Sequence, residues 1–86
     1  MDDAEYCRLQ AHLTEDPGAG AVIRGSGGIR KLRWAGSGRG KRGGFRVVYY
    51  WWSADERISF LFIYAKNEQD DLSAEQIRML RTALEL

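Results

Sequence analysis

The sequence has few of the residues from which disulfides, metal centres and membrane spans are built. It contains one cysteine, Cys7, and one histidine, His12, among 86 residues. A lone cysteine forms no intrachain disulfide, and these two side chains do not complete a metal site. No apolar run reaches the roughly 18 residues that a membrane-spanning helix needs. The acidic residues 1–5 are the opposite of a signal peptide's basic opening. We therefore expect a soluble, cytoplasmic protein with no metal or other cofactor.

The overall composition predicts one ordered domain over residues 1–86. Proline occurs once, hydrophobic residues make up 44% of the chain, and aromatic residues make up 12%. This apolar content can offset the entropy lost on folding, which argues against disorder. A chain of this length is sufficient for one small domain and too short for two.

The charge is distributed unevenly along the chain, although the net charge is only +1. Residues 21–50 contain eight basic side chains and no acid, whereas acids outnumber bases on either side. Such a block creates a local positive field, which is typical of a site for a polyanion. The alternative is a solvated basic surface with no ligand.

Hydrophobic spacing predicts a helix at each end of the chain. Over residues 2–15 the apolar side chains recur with helical spacing, and Asp16 and Pro17 end the segment. Ser73, with Gln76 three residues later, predicts a capping box at the start of a second helix. The preceding residues 70–71 are both aspartate, and we interpret them as a solvated pair favoured by the helix dipole.

Three strands are predicted between the helices, over residues 29–34, 45–52 and 58–65. In the first, alternation places Lys31 and Arg33 on one face and apolar side chains on the other. The third is apolar on both faces, which predicts a central position in the sheet. The fold class is therefore α+β, with a small antiparallel meander flanked by an N-terminal and a C-terminal helix.

Three stretches of the sequence resemble one known family. They are GSGGIRKLRWA at residues 25–35, GKRGGFRVVYY at residues 40–50, and IYAKNE at residues 63–68 followed by DDL at residues 70–72. In this order and spacing they closely resemble the RelE/HigB-like toxins of bacterial type II toxin–antitoxin modules, in particular the HigB-type branch of the RelE/ParE superfamily. The similarity extends from about residue 3 to residue 84.

The resemblance implies an endoribonuclease that enters the ribosomal A site and cuts the mRNA there without a metal, through the substrate's own 2′-hydroxyl. It implies a RelE-like sheet with basic functional residues on its open face. The residues that match those of the family as catalytic are Lys31, Arg33, Arg46 and Lys66. We expect a further set to bind RNA, namely Arg30, Arg39, Lys41, Arg42 and Tyr50.

Physical chemistry suggests a role for each catalytic candidate, and each also has a simpler structural explanation. Arg46 would clamp the scissile phosphate and Arg33 would support the charge of the transition state. Lys31 is the candidate general base if burial among like charges favours its neutral form, and Lys66 would position a phosphate or protonate the leaving group. The simpler alternatives are solvent-facing strand residues, a cross-strand ion pair for Arg46, and core packing for Tyr50.

The chain departs from the family pattern in two places. Some relatives use a tyrosine near the start of the last helix, and residues 72–81 contain none. Relatives usually begin with a further β-strand before the first helix, and its loss would expose a sheet edge and favour homodimerisation.

The resemblance also predicts the partners, and it leaves two other classes of function open. The expected partners are the ribosome, mRNA and a helix-turn-helix antitoxin of the HigA type. The two alternatives are a ParE-like inhibitor of DNA gyrase and a non-catalytic RNA-binding relative.

Overall fold

The chain folds into a four-stranded antiparallel sheet with one helix against each face. The structure is a computed structural model, and it describes residues 2–35, 44–69 and 71–86. The strands pair in the order β1-β2-β3-β4. The elements, in chain order, are α1 (Asp3–Glu15), β1 (Ala21–Val22), β2 (Arg30–Trp34), β3 (Phe45–Trp52), β4 (Arg57–Ala65) and α2 (Ala74–Leu84). The predicted α+β order is confirmed, with the two-residue strand β1 as an addition.

Helix α1 covers one face of the sheet, which we call the α1 face. It begins at Asp2, whose side chain accepts a hydrogen bond of 2.8 Å from the backbone N–H of Glu5. Its inward side chains Leu9 and Leu13 are fully buried, and they pack against Val47 and other residues of the central strands. The sequence prediction for this helix is therefore confirmed.

Helix α2 covers part of the opposite face, which we call the α2 face. The capping box predicted from Ser73 and Gln76 is present at its start. Its apolar stripe packs against Val48, Leu72 and neighbouring buried side chains of the sheet. Within the described ranges, no helix has the length and apolar character that crossing a membrane requires.

Strand β4 lies at an edge of the described sheet, so the prediction of a central position was wrong. Its apolar residues face both ways because the sheet has a helix on each side, and not because strands flank it on both edges. A bulge adds one residue to this strand, since Val48 pairs with Phe62 while Tyr49 pairs with Phe60. In the part of the chain that the structure describes, no strand pairs with the outer edge of β4. Homodimerisation through this edge stays a prediction.

Candidate functional site

Three of the basic residues predicted as catalytic lie together on the α2 face. Arg33 of β2 is the register partner of Arg46 of β3, and Arg46 is the partner of Tyr64 of β4. Directly opposed residues of an antiparallel sheet point to the same face, with Cβ atoms about 4.5–5.5 Å apart. Lys31 lies two residues before Arg33 and points the same way. We call Lys31, Arg33 and Arg46 the basic cluster.

The apolar side chains of β2 are buried on the α1 face, and this fixes its basic side chains on the opposite, α2 face. Leu32 and Trp34 pack into the core on the α1 face. The indole Nε1 of Trp34 also donates a hydrogen bond of 2.6 Å to the buried carboxylate of Glu5 in α1. Period-two alternation then directs the residues between them to the opposite face.

Arg46 is the buried member of the basic cluster. Only 8% of the residue is exposed, and its Nη1 has no hydrogen-bond partner among the residues that the structure describes. Buried polar groups are almost always hydrogen-bonded, because leaving one unpaired costs free energy. A guanidinium presents a planar fork of donors that suits a phosphate or a carboxylate. Arg46 is thus a buried cation with a hydrogen-bond donor available for an anionic ligand.

Lys31 contacts a carboxylate that the sequence analysis did not place at the site. Its Nζ donates a hydrogen bond to Oδ1 of Asp71, on the segment between β4 and α2. This hydrogen bond and then the charge of Lys31 hold the pKa of Asp71 below its ordinary value of 3.8. Desolvation raises the pKa of Asp71 slightly, and the charge of Arg46 lowers it by a smaller amount. Asp71 is exposed before α2, as predicted, but its ion pair with Lys31 was not predicted.

Lys66, the fourth predicted catalytic residue, lies at the end of β4. Its backbone N–H donates to the carbonyl of Gly44 over 3.1 Å, and the residue is exposed. Across the described ranges, no hydrogen bond or ion pair joins its side chain to the basic cluster. The structure thus places Lys66 two residues after Tyr64 without bringing it into contact with the other three.

Arg30, which we predicted to bind RNA, is not brought to the basic cluster. Alternation along β2 places it on the α1 face, where its guanidinium lies 5.7 Å from the centroid of the Trp51 ring. Its Nη1 donates a hydrogen bond of 2.7 Å to the carbonyl of Gly20. This side chain is engaged in holding the segment before β1, so we do not assign it to an RNA site.

The other four residues of the predicted RNA-binding set are Tyr50, which the structure describes, and three that lie outside the described residues. Tyr50 lies on the α2 face, where it is half-buried in the apolar cluster under α2 and packs edge-on against Trp52 at 4.6 Å. Of the two alternatives for this ring, that environment favours core packing over stacking on a base. The remaining three residues lie outside the described residues, namely Arg39, Lys41 and Arg42.

The chemistry available at this site is that of positive charge and hydrogen-bond donation. The described residues contain no group of three or more His, Cys, Asp or Glu side chains that could hold a metal ion. The basic cluster presents cations from two strands at once, since β2 and β3 each contribute. Arginine forks at such positions stabilise the charge that develops on phosphate oxygens during phosphoryl transfer.

Comparison with known families assigns the chain to one family. The family described as the RelE toxin of the RelE/RelB toxin–antitoxin system matches the chain over residues 15–85. The matched span includes all four strands, α2 and the whole basic cluster. A family of this kind implies an antitoxin as partner. The chain belongs to the RelE toxin family and is a RelE-like toxin of a toxin–antitoxin module.

Proposed function

We propose that this toxin is a ribosome-dependent mRNA endoribonuclease of the HigB type. The observation that carries the proposal is the basic cluster. In it the buried Arg46 lies between Arg33 and Tyr64, and its Nη1 has no hydrogen-bond partner within the described ranges. A site for the RNA backbone requires cations that converge from rigid elements, and β2 and β3 supply them. Gyrase inhibition does not require a phosphate-cleaving cluster.

The proposed reaction uses the RNA's own 2′-hydroxyl. Its oxygen attacks the adjacent phosphorus and loses its proton to a base that the ribosome would supply, while the bond from phosphorus to the 5′-oxygen breaks and that oxygen gains a proton. Negative charge rises on the non-bridging phosphate oxygens in the transition state. Arg46 binds those oxygens with its fork, and Arg33 beside it stabilises the added charge.

Lys31 takes a different part in the proposal from the general base considered in the sequence analysis. That role required burial among like charges, whereas its nearest charged partner is the carboxylate of Asp71. We therefore assign Lys31 to binding phosphate charge, and Lys66 to positioning a neighbouring phosphate or donating to the 5′-oxygen.

The proposal extends to the partners and the location of the protein. The ribosome would present the mRNA to the open part of the α2 face, and Arg39, Lys41 and Arg42 would contact the RNA backbone. A helix-turn-helix antitoxin of the HigA type would hold the toxin inactive with an acidic or apolar segment over the basic cluster or in place of α2. Translation as the target places the toxin in the cytoplasm.

The test is primer extension on mRNA from a reconstituted translation reaction. The wild-type toxin should produce cuts that require the ribosome, and Arg46→Ala should reduce the rate of cutting by about 100-fold or more, as loss of a transition-state donor does. Arg24→Ala removes an exposed arginine of the same basic block outside the cluster, and it should cut at the wild-type rate. Circular dichroism of each variant checks that it is folded.

The outcome separates the proposed function from its alternatives. Equal loss of activity in both arginine variants would mean that the basic block acts only through its overall charge. Absence of ribosome-dependent cuts from a folded wild-type protein would refute the nuclease, and inhibition of DNA supercoiling by gyrase would then support the ParE-like alternative. Binding of RNA with no cutting in any condition would support the non-catalytic relative.

A further inference from the structure

We propose that Asp71 is a built-in counter-ion of the RNA site, and that an RNA phosphate must displace its carboxylate from Lys31 in order to bind. The proposal rests on the proposed function and adds a residue of the toxin's own chain that competes with the substrate. It makes Asp71 a gate on access to the basic cluster rather than a catalytic residue.

The carboxylate occupies a position that suits an anion. It accepts a hydrogen bond from Nζ of Lys31, and the charge of Arg46 also lowers the pKa of its carboxyl group by a small amount. Lys31 and Arg46 are both assigned above to the phosphates of the RNA, with Arg33 beside Arg46. An RNA phosphate and the Asp71 carboxylate therefore cannot both take the full set of donors at the same time.

Among the residues that the structure describes, the Asp71 carboxylate has no hydrogen-bond partner other than Lys31. The start of α2 is capped by Ser73 and Gln76, whose side chains satisfy each other's backbone N–H groups over 3.1 and 2.9 Å. The side chain of Asp71 is 71% exposed and that of Lys31 is 30% exposed, and ion pairs open to solvent contribute little to stability. The carboxylate is thus free to leave Lys31 at small cost in folding free energy.

The backbone at Asp71 is anchored separately from its side chain. The side-chain Nε2 of Gln69 donates a hydrogen bond of 2.8 Å to the backbone carbonyl of Asp71, and another of 3.1 Å to Oε1 of Gln76. Rotation of the Asp71 side chain therefore leaves the segment before α2 in position. Phosphate binding exchanges one anion for another without unfolding that segment.

A counter-ion also explains how the like charges of the basic cluster are tolerated without RNA. Arg33 and Arg46 are direct register partners, and like charges at such positions destabilise a sheet. Asp71 forms an ion pair with Lys31, the third cation of the cluster. It reduces the local repulsion and fills the site with a carboxylate until a phosphate replaces it.

The experiment measures binding of a fluorescently labelled, single-stranded 2′-O-methyl RNA oligonucleotide by anisotropy. This probe has no free 2′-hydroxyl, so it reports binding without cleavage. Asp71→Asn should bind it about 1.4- to 5-fold more tightly than wild type, the range expected when an exposed ion pair no longer competes. Glu75→Gln makes the same change of charge at an α2 carboxylate whose side chain is 69% exposed and pairs with Arg78. It should have no comparable effect.

A double-variant cycle isolates the contact itself. In a Lys31→Met background the gain from Asp71→Asn should disappear, because the carboxylate then has no Lys31 ammonium to withhold from the RNA. A gain that persists in this background, or an equal gain from Glu75→Gln, would mean that only net charge matters and would overturn the proposal.

Failure of the proposal is distinguishable from failure of the proposed function. Arg46→Ala must weaken binding of the same oligonucleotide if the basic cluster is the RNA site. If Arg46→Ala weakens binding while Asp71→Asn leaves it unchanged, the gate is wrong and the RNA site stands. If neither variant changes binding, the RNA site itself is wrong. If Asp71→Asn abolishes ribosome-dependent cutting without changing binding, Asp71 takes part in the reaction and is not a gate.

Discussion

Arg33 and Arg46 face each other directly across β2 and β3, so two positive charges occupy a position where sheets favour opposite charges or apolar pairs. Arg46 is buried at this point whereas Arg33 is exposed. The stability of the fold does not explain such a pair, because the two like charges repel each other and destabilise the folded state. The pair is explained if an anion binds there, since both side chains then gain a common partner.

This relationship predicts that Arg33→Thr has opposite effects on stability and on function. Thr favours strands and removes the repulsion, so we expect the free energy of unfolding to rise by about 0.2–1 kcal/mol. The same change should weaken binding of the 2′-O-methyl RNA oligonucleotide, because a hydrogen-bond donor to the RNA phosphate is lost. Urea denaturation and anisotropy measure the two effects on the same preparation.

Arg24→Thr is the matched control for Arg33→Thr. It makes the same substitution at an exposed arginine outside the sheet, and it should change neither quantity by a comparable amount. If Arg33→Thr instead lowered the stability, the pair with Arg46 would be a favourable element of the fold and the argument for a bound anion would lose its basis.

Local sequence patterns predicted much of this fold and part of its site. The spacing of Leu9 and Leu13 predicted α1, and Ser73 with Gln76 predicted the start of α2, because caps and amphipathic stripes act within a few residues. Alternation along β2 likewise predicted that Lys31 and Arg33 share a face. These features depend on neighbours in sequence, which is why a single chain is sufficient to find them.

The features that sequence patterns missed depend on distant parts of the chain. The edge position of β4 follows from pairing order, and its apolar faces reflect two helices that are far away in sequence. The contact between Lys31 and Asp71 joins residues 40 positions apart. Arg30 is a different case, since the alternation that separated Lys31 from Leu32 already placed it on the α1 face. Its grouping with the RNA-binding residues rested on charge alone, and that role stays a prediction.

Tyr49→Phe should destabilise the toxin more than the loss of one hydroxyl suggests. This buried hydroxyl donates a hydrogen bond of 2.7 Å to the carbonyl of Pro17 and accepts one of 2.9 Å from the N–H of Gly20. Its removal leaves both backbone groups without that partner, so we expect a loss of about 1–3 kcal/mol in urea denaturation. Tyr50→Phe is the control, because no hydrogen bond from its hydroxyl is seen among the described residues, and it should change stability little.

The same hydroxyl predicts how stability depends on alkaline pH. Burial raises the pKa of Tyr49 above its ordinary value of 10.0; the hydrogen bond from Gly20 and then the charge of Arg30 oppose this, and the charge of Asp16 adds to it. Because the pKa in the folded state is above that in the unfolded state, this contribution to stability is complete below pH 10 and is lost as pH rises through the folded-state pKa. Urea midpoints across this range should fall more for wild type and Tyr50→Phe than for Tyr49→Phe. An equal fall in all three would mean that other groups control the alkaline limit.

Two glycines with similar backbone angles should respond differently to alanine, and the difference tests how the basic cluster is positioned. Gly44 has φ +64° and Gly25 has φ +75°, a region that L-residues enter at a cost of about 1–2 kcal/mol. A Cβ at Gly44 would lie 2.6 Å from the carbonyl oxygen of Trp34, whereas a Cβ at Gly25 meets no described atom within 4 Å. Gly25→Ala should therefore cost only the backbone strain, while Gly44→Ala adds a clash worth about 1–3 kcal/mol more. Because Gly44 lies two residues before Arg46, Gly44→Ala should also slow ribosome-dependent cutting in molecules that remain folded. Equal losses of stability and activity in the two variants would show that close approach of the β2 and β3 backbones at Gly44 does not position Arg46.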